Sequence, residues 1–417
     1  MSQELDCDVA VIGAGIIGAC IALELAERGL KVFIFDPESP CSKTSYGNAG
    51  VISPWTCVPQ SMPGLWRQIP NWLADPDGPV SIRPGYFPKL LPWALRFFSA
   101  GRENRIDQIG DALFALSQGS VNAYKKRLKG TGYDHLVHDA LYVHVYQNKS
   151  SASLDHRGWI MRRDRQVPVE LIDRETLKKL EPEISQAYNA AIIIKNQGRA
   201  KDPARIGTSI MKKAFSCRAR HLQKKVNAIQ PDHGNGCKII TDDHEYKSNN
   251  IVIAAGVWSK RLLQNFGFTV PLEAERGYHV IFLNPEIEIN NSVMDADGKF
   301  VASSMNSGIR IAGTAEFSGL NTKANFNRSK ILAKQGKKLF PRINVGETKV
   351  WMGSRPSFPD SLPCLGKIPG LNGIIAAFGH SHYGLGMAPK TSEIIADCIT
   401  GEAPKVDLKP YAISRFK

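Results

Sequence analysis

Three glycines and an acid near the start of this 417-residue chain are spaced for chemistry. Gly13, Gly15 and Gly18 form G-x-G-x-x-G, and Asp36 closes the apolar run that follows. In this pattern the first glycine permits a tight turn. The second lets a pyrophosphate reach the backbone, and the third lets a helix pack closely on a strand. Ile16 and Ile17 open the helix and present unpaired amides to the phosphates. Asp36, followed by Pro37, stands where a carboxylate can bond ribose hydroxyls, which argues against a 2′-phosphate. The spacing alone does not separate NAD from FAD. No Ser-His-Asp set, paired catalytic carboxylates or zinc-ligand spacing accompanies it, so no metal is expected.

These residues need a scaffold. Residues 8–12 and 31–35 read as buried strands, and residues 16–28 between them as a helix that stops at Gly29. The unit is β-α-β and predicts a parallel sheet. Residues 104–130 read as one helix and 175–181 as a short one. Residues 203–217 read as a helix capped by Asp202 with Pro203 in its first turn. Strands are expected at 141–146, 191–195 and 251–254, with antiparallel strands at 277–283 and 300–312. The last unit, 373–401, reads as strand, glycine-rich turn and helix.

Composition narrows the function. Forty-three percent hydrophobic residues supports a packed core, and the length favours two domains. Eight scattered cysteines without C-x-x-C read as reduced thiols in a cytoplasmic compartment. The apolar run 9–25 has an acidic flank and interrupting glycines, which excludes a signal peptide or membrane span. A net charge of +14 raises nucleic acid as a partner, but no recognition motif accompanies it. The charge suits anionic lipid or an acidic substrate as well.

Residues 43–54, KTSYGNAGVISP, together with the glycine-rich start, resemble the FAD-binding end of D-amino-acid oxidase-like flavoproteins, and bacterial D-amino-acid dehydrogenases most. The resemblance extends over nearly the whole chain. It implies a mixed α/β chain: a Rossmann-type FAD-binding domain (1–55, 195–262 and 345–417) with an inserted antiparallel-sheet substrate domain (56–194 and 263–344). It also implies that Ser45, Asn48, Ala49 and Gly50 wrap the flavin. Val226 would sit by the adenine, and Ala255, Gly256 and Trp258 by the pyrophosphate. Gly379, His382, Gly384 and Gly386 would close over the flavin, with the last helix's N-terminus toward its N1–C2 carbonyl. Gly353 stands where some sarcosine oxidases carry the cysteine that bonds FAD, so non-covalent FAD is expected.

By the same resemblance, Arg355 in R-P-x-x-x-D anchors the α-carboxylate of an amino-acid substrate. Tyr278 could add a second hydrogen bond, and His380 could contact flavin or substrate. Arg276 is expected to pair with Glu275 or Glu273, and Asp360 to be structural. The segment 273–280, EAERGYHV, is more like branches that handle D-hydroxyproline or other cyclic substrates. The reaction implied is hydride transfer from the α-carbon to flavin N5, with electrons leaving to quinone or another acceptor. An oxygen-using oxidase of glycine, sarcosine or a D-amino acid is an alternative, and a flavin-dependent tRNA-modifying protein another. The Trp- and Phe-rich stretch 55–98, with interleaved basic residues, would suit the inner face of a membrane or simply cover the substrate pocket.

Overall fold

A computed structural model of the chain describes residues 6–232 and 236–416. Cys7–Ile12 is apolar at nearly every position because both of its faces are covered. Val9 and Val11 face one core; Ala10 and Ile12 face another. The strand is central in an eight-stranded sheet. Ile374–Phe378, Glu245–Ile253, Cys7–Ile12, Val32–Phe35 and Ala219–Leu222 lie side by side in that order, all parallel.

The helices Ile16–Glu27, Pro203–Ser216 and Gly384–Thr400 pack together on one face. Ile16–Glu27 is apolar almost all round because the other two helices flank it. Asp202 caps the second, its Oδ1 accepting from the Arg205 amide at 2.9 Å.

The second sheet has ten strands and is mostly antiparallel. Thr348–Ser357, Glu273–Phe282 and Gly308–Phe317 form its most heavily paired end. Val137–Tyr146 pairs with Ala190–Ala200 toward the other end. Val51–Ile52, Ala190–Ala200 and Thr348–Ser357 all belong to the second sheet. Two expected elements are each two. Residues 104–130 break at Gly119, whose φ of 72° no helix continues through, into Glu103–Ser117 and Ser120–Leu128. Residues 300–312 fold as a hairpin of Phe300–Met305 and Gly308–Phe317.

Candidate active site

Four adjacent parallel strands release candidate loops at their carboxyl ends. Gly13 follows Ile12, Asp36 follows Phe35, residues 254–256 follow Ile253, and Gly379 follows Phe378. Open parallel sheets bind ligands in the crevice at this edge. A cavity of about 1450 Å³ lies there and is lined by residues of both sheets.

The glycines of the first loop differ in what demands them. Gly13 has φ 110°, and a Cβ there would lie 2.5 Å from the Ala254 carbonyl oxygen. A Cβ on Gly18 would lie 1.9 Å from the Gly13 oxygen, so it serves helix–strand packing and does not line the cavity. Gly15 meets only Ser45 Oγ, at 3.4 Å, and Gly256 meets nothing within 4 Å. Packing does not require Gly15, and at Gly256 only the backbone φ of 55° favours glycine. They leave a cradle open to the cavity that side chains would fill, as close approach of a phosphate to backbone demands.

Asp36 lies in the wall and steadies the loop: Oδ2 accepts from the Ala14 amide at 2.7 Å and Oδ1 from the Glu38 amide at 2.9 Å. Ser45 Oγ accepts from the Ile16 amide at 2.9 Å, which places the 43–50 loop across the helix N-terminus. Ile16, Ile17, Pro37, Asn48, Ala49, Val226, Ala255 and Trp258 line the same cavity. Gly50 does not. Its φ is 81°, a Cβ would clash with the Ala200 oxygen at 2.6 Å, and its own carbonyl accepts from Ala200 N at 2.7 Å. It ties the loop to the second sheet.

Arg310 completes this loop and was missed from sequence. Its Nη1 donates to the carbonyls of Tyr46 and Asn48 at 2.9 and 2.6 Å, and burial pushes its pKa down to about 10. The signal was a lone arginine inside the apolar strand Gly308–Phe317.

Gly379, His380, His382, Gly384 and Gly386 also line the cavity. The helix Gly384–Thr400 has no side-chain cap, so its first amides remain available. His380 Nε2 meets Thr391 Oγ1 at 3.0 Å, and burial pushes its pKa down to about 3. It is a neutral ring tied to the helix. His382 faces the cavity. Gln60 Nε2 donates to its Nδ1 at 2.6 Å, so the proton sits on Nε2. Its ring is exposed to the cavity, where desolvation lowers its pKa to about 4, with Glu275 raising and Arg355 lowering it.

Arg355 lies opposite Glu275 across paired strands. Its Nη1 donates to Glu275 Oε1 at 2.7 Å and to the Thr314 carbonyl at 2.9 Å. Ser357 Oγ donates to Glu275 Oε2 at 2.7 Å. Burial alone raises the Glu275 carboxyl, but the charge of Arg355, with His382 and Ser357, outweighs it and holds the group below the usual carboxylate range. The pair is therefore ionised. Gly277 makes room for it, since a Cβ there would lie 2.2 Å from Arg355 Nη2. The Arg355 guanidinium is only partly committed within the protein. One terminal nitrogen is committed, Nη2 reaches only the Gly313 carbonyl at 3.4 Å, and Nε has no partner among the described residues.

Two neighbours are corrected. The buried Tyr278 hydroxyl donates to Glu316 Oε2 and accepts from the Asn325 amide, so it is not offered to a carboxylate in the cavity. Its pKa is pushed up to about 12 by burial and by Glu316. Arg276 is fully buried and pairs with Glu316 at 3.5 Å and with Ser318, not with Glu275 or Glu273. The uninterrupted antiparallel register with Thr348–Ser357 sets Glu275 directly opposite Arg355, while a bulge between Arg276 and Tyr278 shifts only the pairing with Gly308–Phe317. Asp360 pairs with Arg415 at 2.8 Å, a structural tie.

The sequence profile of the FAD dependent oxidoreductase family matches residues 8–398. The D-amino-acid oxidase of Bradyrhizobium diazoefficiens is 32% identical over 98% of this chain and 98% of its own. A D-amino acid dehydrogenase of Rhizobium rhizogenes is 26% identical over 98% of this chain and 99% of its own. Among solved structures, L-proline dehydrogenase from P. horikoshii superposes with a TM-score of 0.75 at 21% identity, covering 99% of this chain and 98% of that one.

Proposed function

Because this chain belongs to the family of FAD dependent oxidoreductases, we propose that it oxidises the carbon–nitrogen bond of an amino acid. The substrate is a D-amino acid or a cyclic secondary amino acid of the proline or hydroxyproline kind. Bound FAD supplies a two-electron acceptor for hydride from the substrate α-carbon. The residues present suit that group. Gly13 to Ile17 and Asp36 would hold its phosphates and ribose, Val226 its adenine edge. Ser45 to Ala49 and the amides at Gly384–Gly386 would hold its ring system. Gly353 supports non-covalent binding: it offers no thiol, and the Trp351 ring packs on it so closely that a Cβ would lie 2.1 Å from Cη2.

The observation that carries the reading is the ionised Arg355–Glu275 pair in the wall of the cavity that the glycine-rich loops share. Arg355 Nε and Nη2 would take the substrate α-carboxylate, while Glu275 and Ser357 fix the guanidinium plane. Neutral His380 and His382 add no charge beside the reacting amine. Oxidation yields an imine, which water hydrolyses to a 2-oxo acid and ammonia when the amine is primary. Anaerobic mixing with D-amino acids and D-proline tests the reading, because a substrate bleaches the bound FAD.

Electrons leave either to quinone or to oxygen. The 32% identity to a named oxidase favours the oxygen reading, and peroxide yield in air separates the two. An exposed apolar stripe favours quinone at a membrane surface. The helix Phe87–Ala100 buries Leu90 and Trp93 and exposes Phe87, Leu91, Leu95 and Phe98 on another face. Trp66 is 59% exposed and Leu95 62%, with Arg67, Lys89 and Arg96 also exposed. Trp93 and Phe97 stack at 5.1 Å in the cavity wall, which Phe87 and Phe98 also border, so the aromatic stretch serves both pocket and surface. Among the described residues no helix is long and apolar enough to cross a membrane, and contact through this stripe would be peripheral.

A further inference from the structure

The cavity holds a cation that no acid among the described residues neutralises. Arg162 lies on the helix Arg157–Asp164 and lines the cavity. Its helix neighbours Arg157, Arg163 and Arg165 each pair with a carboxylate, at 2.6, 3.5 and 2.6 Å. Arg162 pairs with none among the described residues. Its Nη1 donates to the Gly158 carbonyl of its own helix at 3.0 Å, and its guanidinium carbon lies 4.5 Å from the Trp159 ring centre. Its Nε is buried without a partner. Burial lowers its pKa, as the cost of an uncompensated charge requires.

Two further polar groups stand beside it unsatisfied. Tyr142 and His144 are two apart on the strand Val137–Tyr146 and line the cavity. Their rings pack at 4.5 Å, and His144 packs 5.0 Å from Trp159, beneath Arg162. His144 Nε2 is buried without a partner, and the Tyr142 hydroxyl makes no hydrogen bond among the described residues. Lys299, with Asp297 near it, lines the same region. A guanidinium without an acid partner, beside an imidazole nitrogen and a hydroxyl that make no hydrogen bond among the described residues, describes a site for an anion. Arg355 differs, because Glu275 already balances it.

Resting on the amino-acid reading above, we propose that Arg162, Tyr142 and His144 form a second anion subsite that takes a distal carboxylate of the substrate. The substrate class is then an amino acid with two carboxylates: one at Arg355, the other at Arg162. A guanidinium–carboxylate contact in an enclosed site discriminates strongly against the neutral amide of the same shape, because the amide leaves the buried charge unbalanced.

The test compares kcat/KM of D-aspartate against D-asparagine, and D-glutamate against D-glutamine, with the holoenzyme and with Arg162→Met and Arg162→Lys. The acid-to-amide ratio is expected to exceed about tenfold in the natural enzyme, to fall at least about tenfold in Arg162→Met and to be partly kept in Arg162→Lys. A titration without turnover follows the flavin absorbance with glutarate and with butyrate. Tighter binding of glutarate, lost in Arg162→Met, is expected. Equal kcat/KM for acid and amide in the natural enzyme, or a ratio unmoved by Arg162→Met, overturns the proposal. If glutarate selectivity depends on Arg162 but no amino acid reduces the flavin, the subsite stands and the amino-acid reading falls.

Discussion

Arg355 and Glu275 face each other on neighbouring antiparallel strands, Nη1 to Oε1 at 2.7 Å, with Ser357 holding the second carboxylate oxygen. The carboxylate does for the guanidinium what a packed side chain could not: it fixes the plane and leaves the remaining donors directed elsewhere. Arg355→Lys replaces a fork by a point charge that cannot serve Glu275, the Thr314 carbonyl and a substrate together. We expect kcat/KM to fall about 100-fold, with the thermal unfolding midpoint little changed. Kinetics within threefold of the natural enzyme would remove Arg355 from substrate binding.

Removing the acid has a different signature. Glu275→Ala strands a largely buried cation and should cost about 3 kcal/mol or more in urea unfolding. The ionised pair should also weaken as pH falls. Glu275 is held below the usual carboxylate range, so the pair's contribution is full above about pH 4.5 and is lost only as pH drops through its lowered folded value.

The glycines of the first loop separate folding from binding. Gly13→Ala must accommodate a φ of 110° and a contact of 2.5 Å, so both stability and FAD binding should suffer. Gly15→Ala meets only Ser45 Oγ at 3.4 Å. Its apoprotein should melt within about 2 °C of the parent, a shift of well under 1 kcal/mol, while FAD dissociates at least about tenfold more readily. Equal loss of stability in the two variants would contradict the cradle.

His380 gives the protein a pH-dependent stability. The unfolded histidine takes up a proton as pH falls through about 6.5, whereas the folded ring, buried against Thr391, does so only near 3. Unfolding therefore absorbs a proton between these values. This contribution is full above about 6.5 and declines by up to about 1.4 kcal/mol per pH unit below it. His380→Asn should flatten the slope of denaturant stability between pH 6.5 and 5. An unchanged slope would show that His380 is protonated in the folded state.

What the sequence made legible was local. The strand, G-x-G-x-x-G loop, helix and acid span fewer than forty contiguous residues, and each piece limits the next. The capped helix from Pro203 was legible for the same reason. What stayed hidden depends on register between distant segments. Glu275 and Arg355 are 80 residues apart, and the strand register that sets them opposite each other leaves no mark in the apolar pattern. The partner of Tyr278 was hidden in the same way: its hydroxyl meets Glu316, 38 residues away. Arg162 sat among three arginines in one short helix, with Arg165 just past its end, and only the fold shows which one lacks an acid.

The exposed stripe predicts reversible membrane contact. Leu91→Glu with Leu95→Glu should abolish flotation with anionic vesicles and leave kcat with a soluble dye unchanged, since both side chains point away from the buried face of their helix. High salt should weaken flotation of the natural protein, because Arg67, Lys89 and Arg96 contribute by charge. Flotation that survives the double substitution would clear the stripe of this role.

The most direct measurement is anaerobic titration of the purified protein with D-amino acids and D-proline, followed in the visible spectrum. The account predicts a yellow protein whose flavin bands bleach stoichiometrically with at least one of them, and far less readily in Arg355→Lys. A colourless protein that takes up no FAD, or bound flavin that stays oxidised with every amino acid tried, would contradict it.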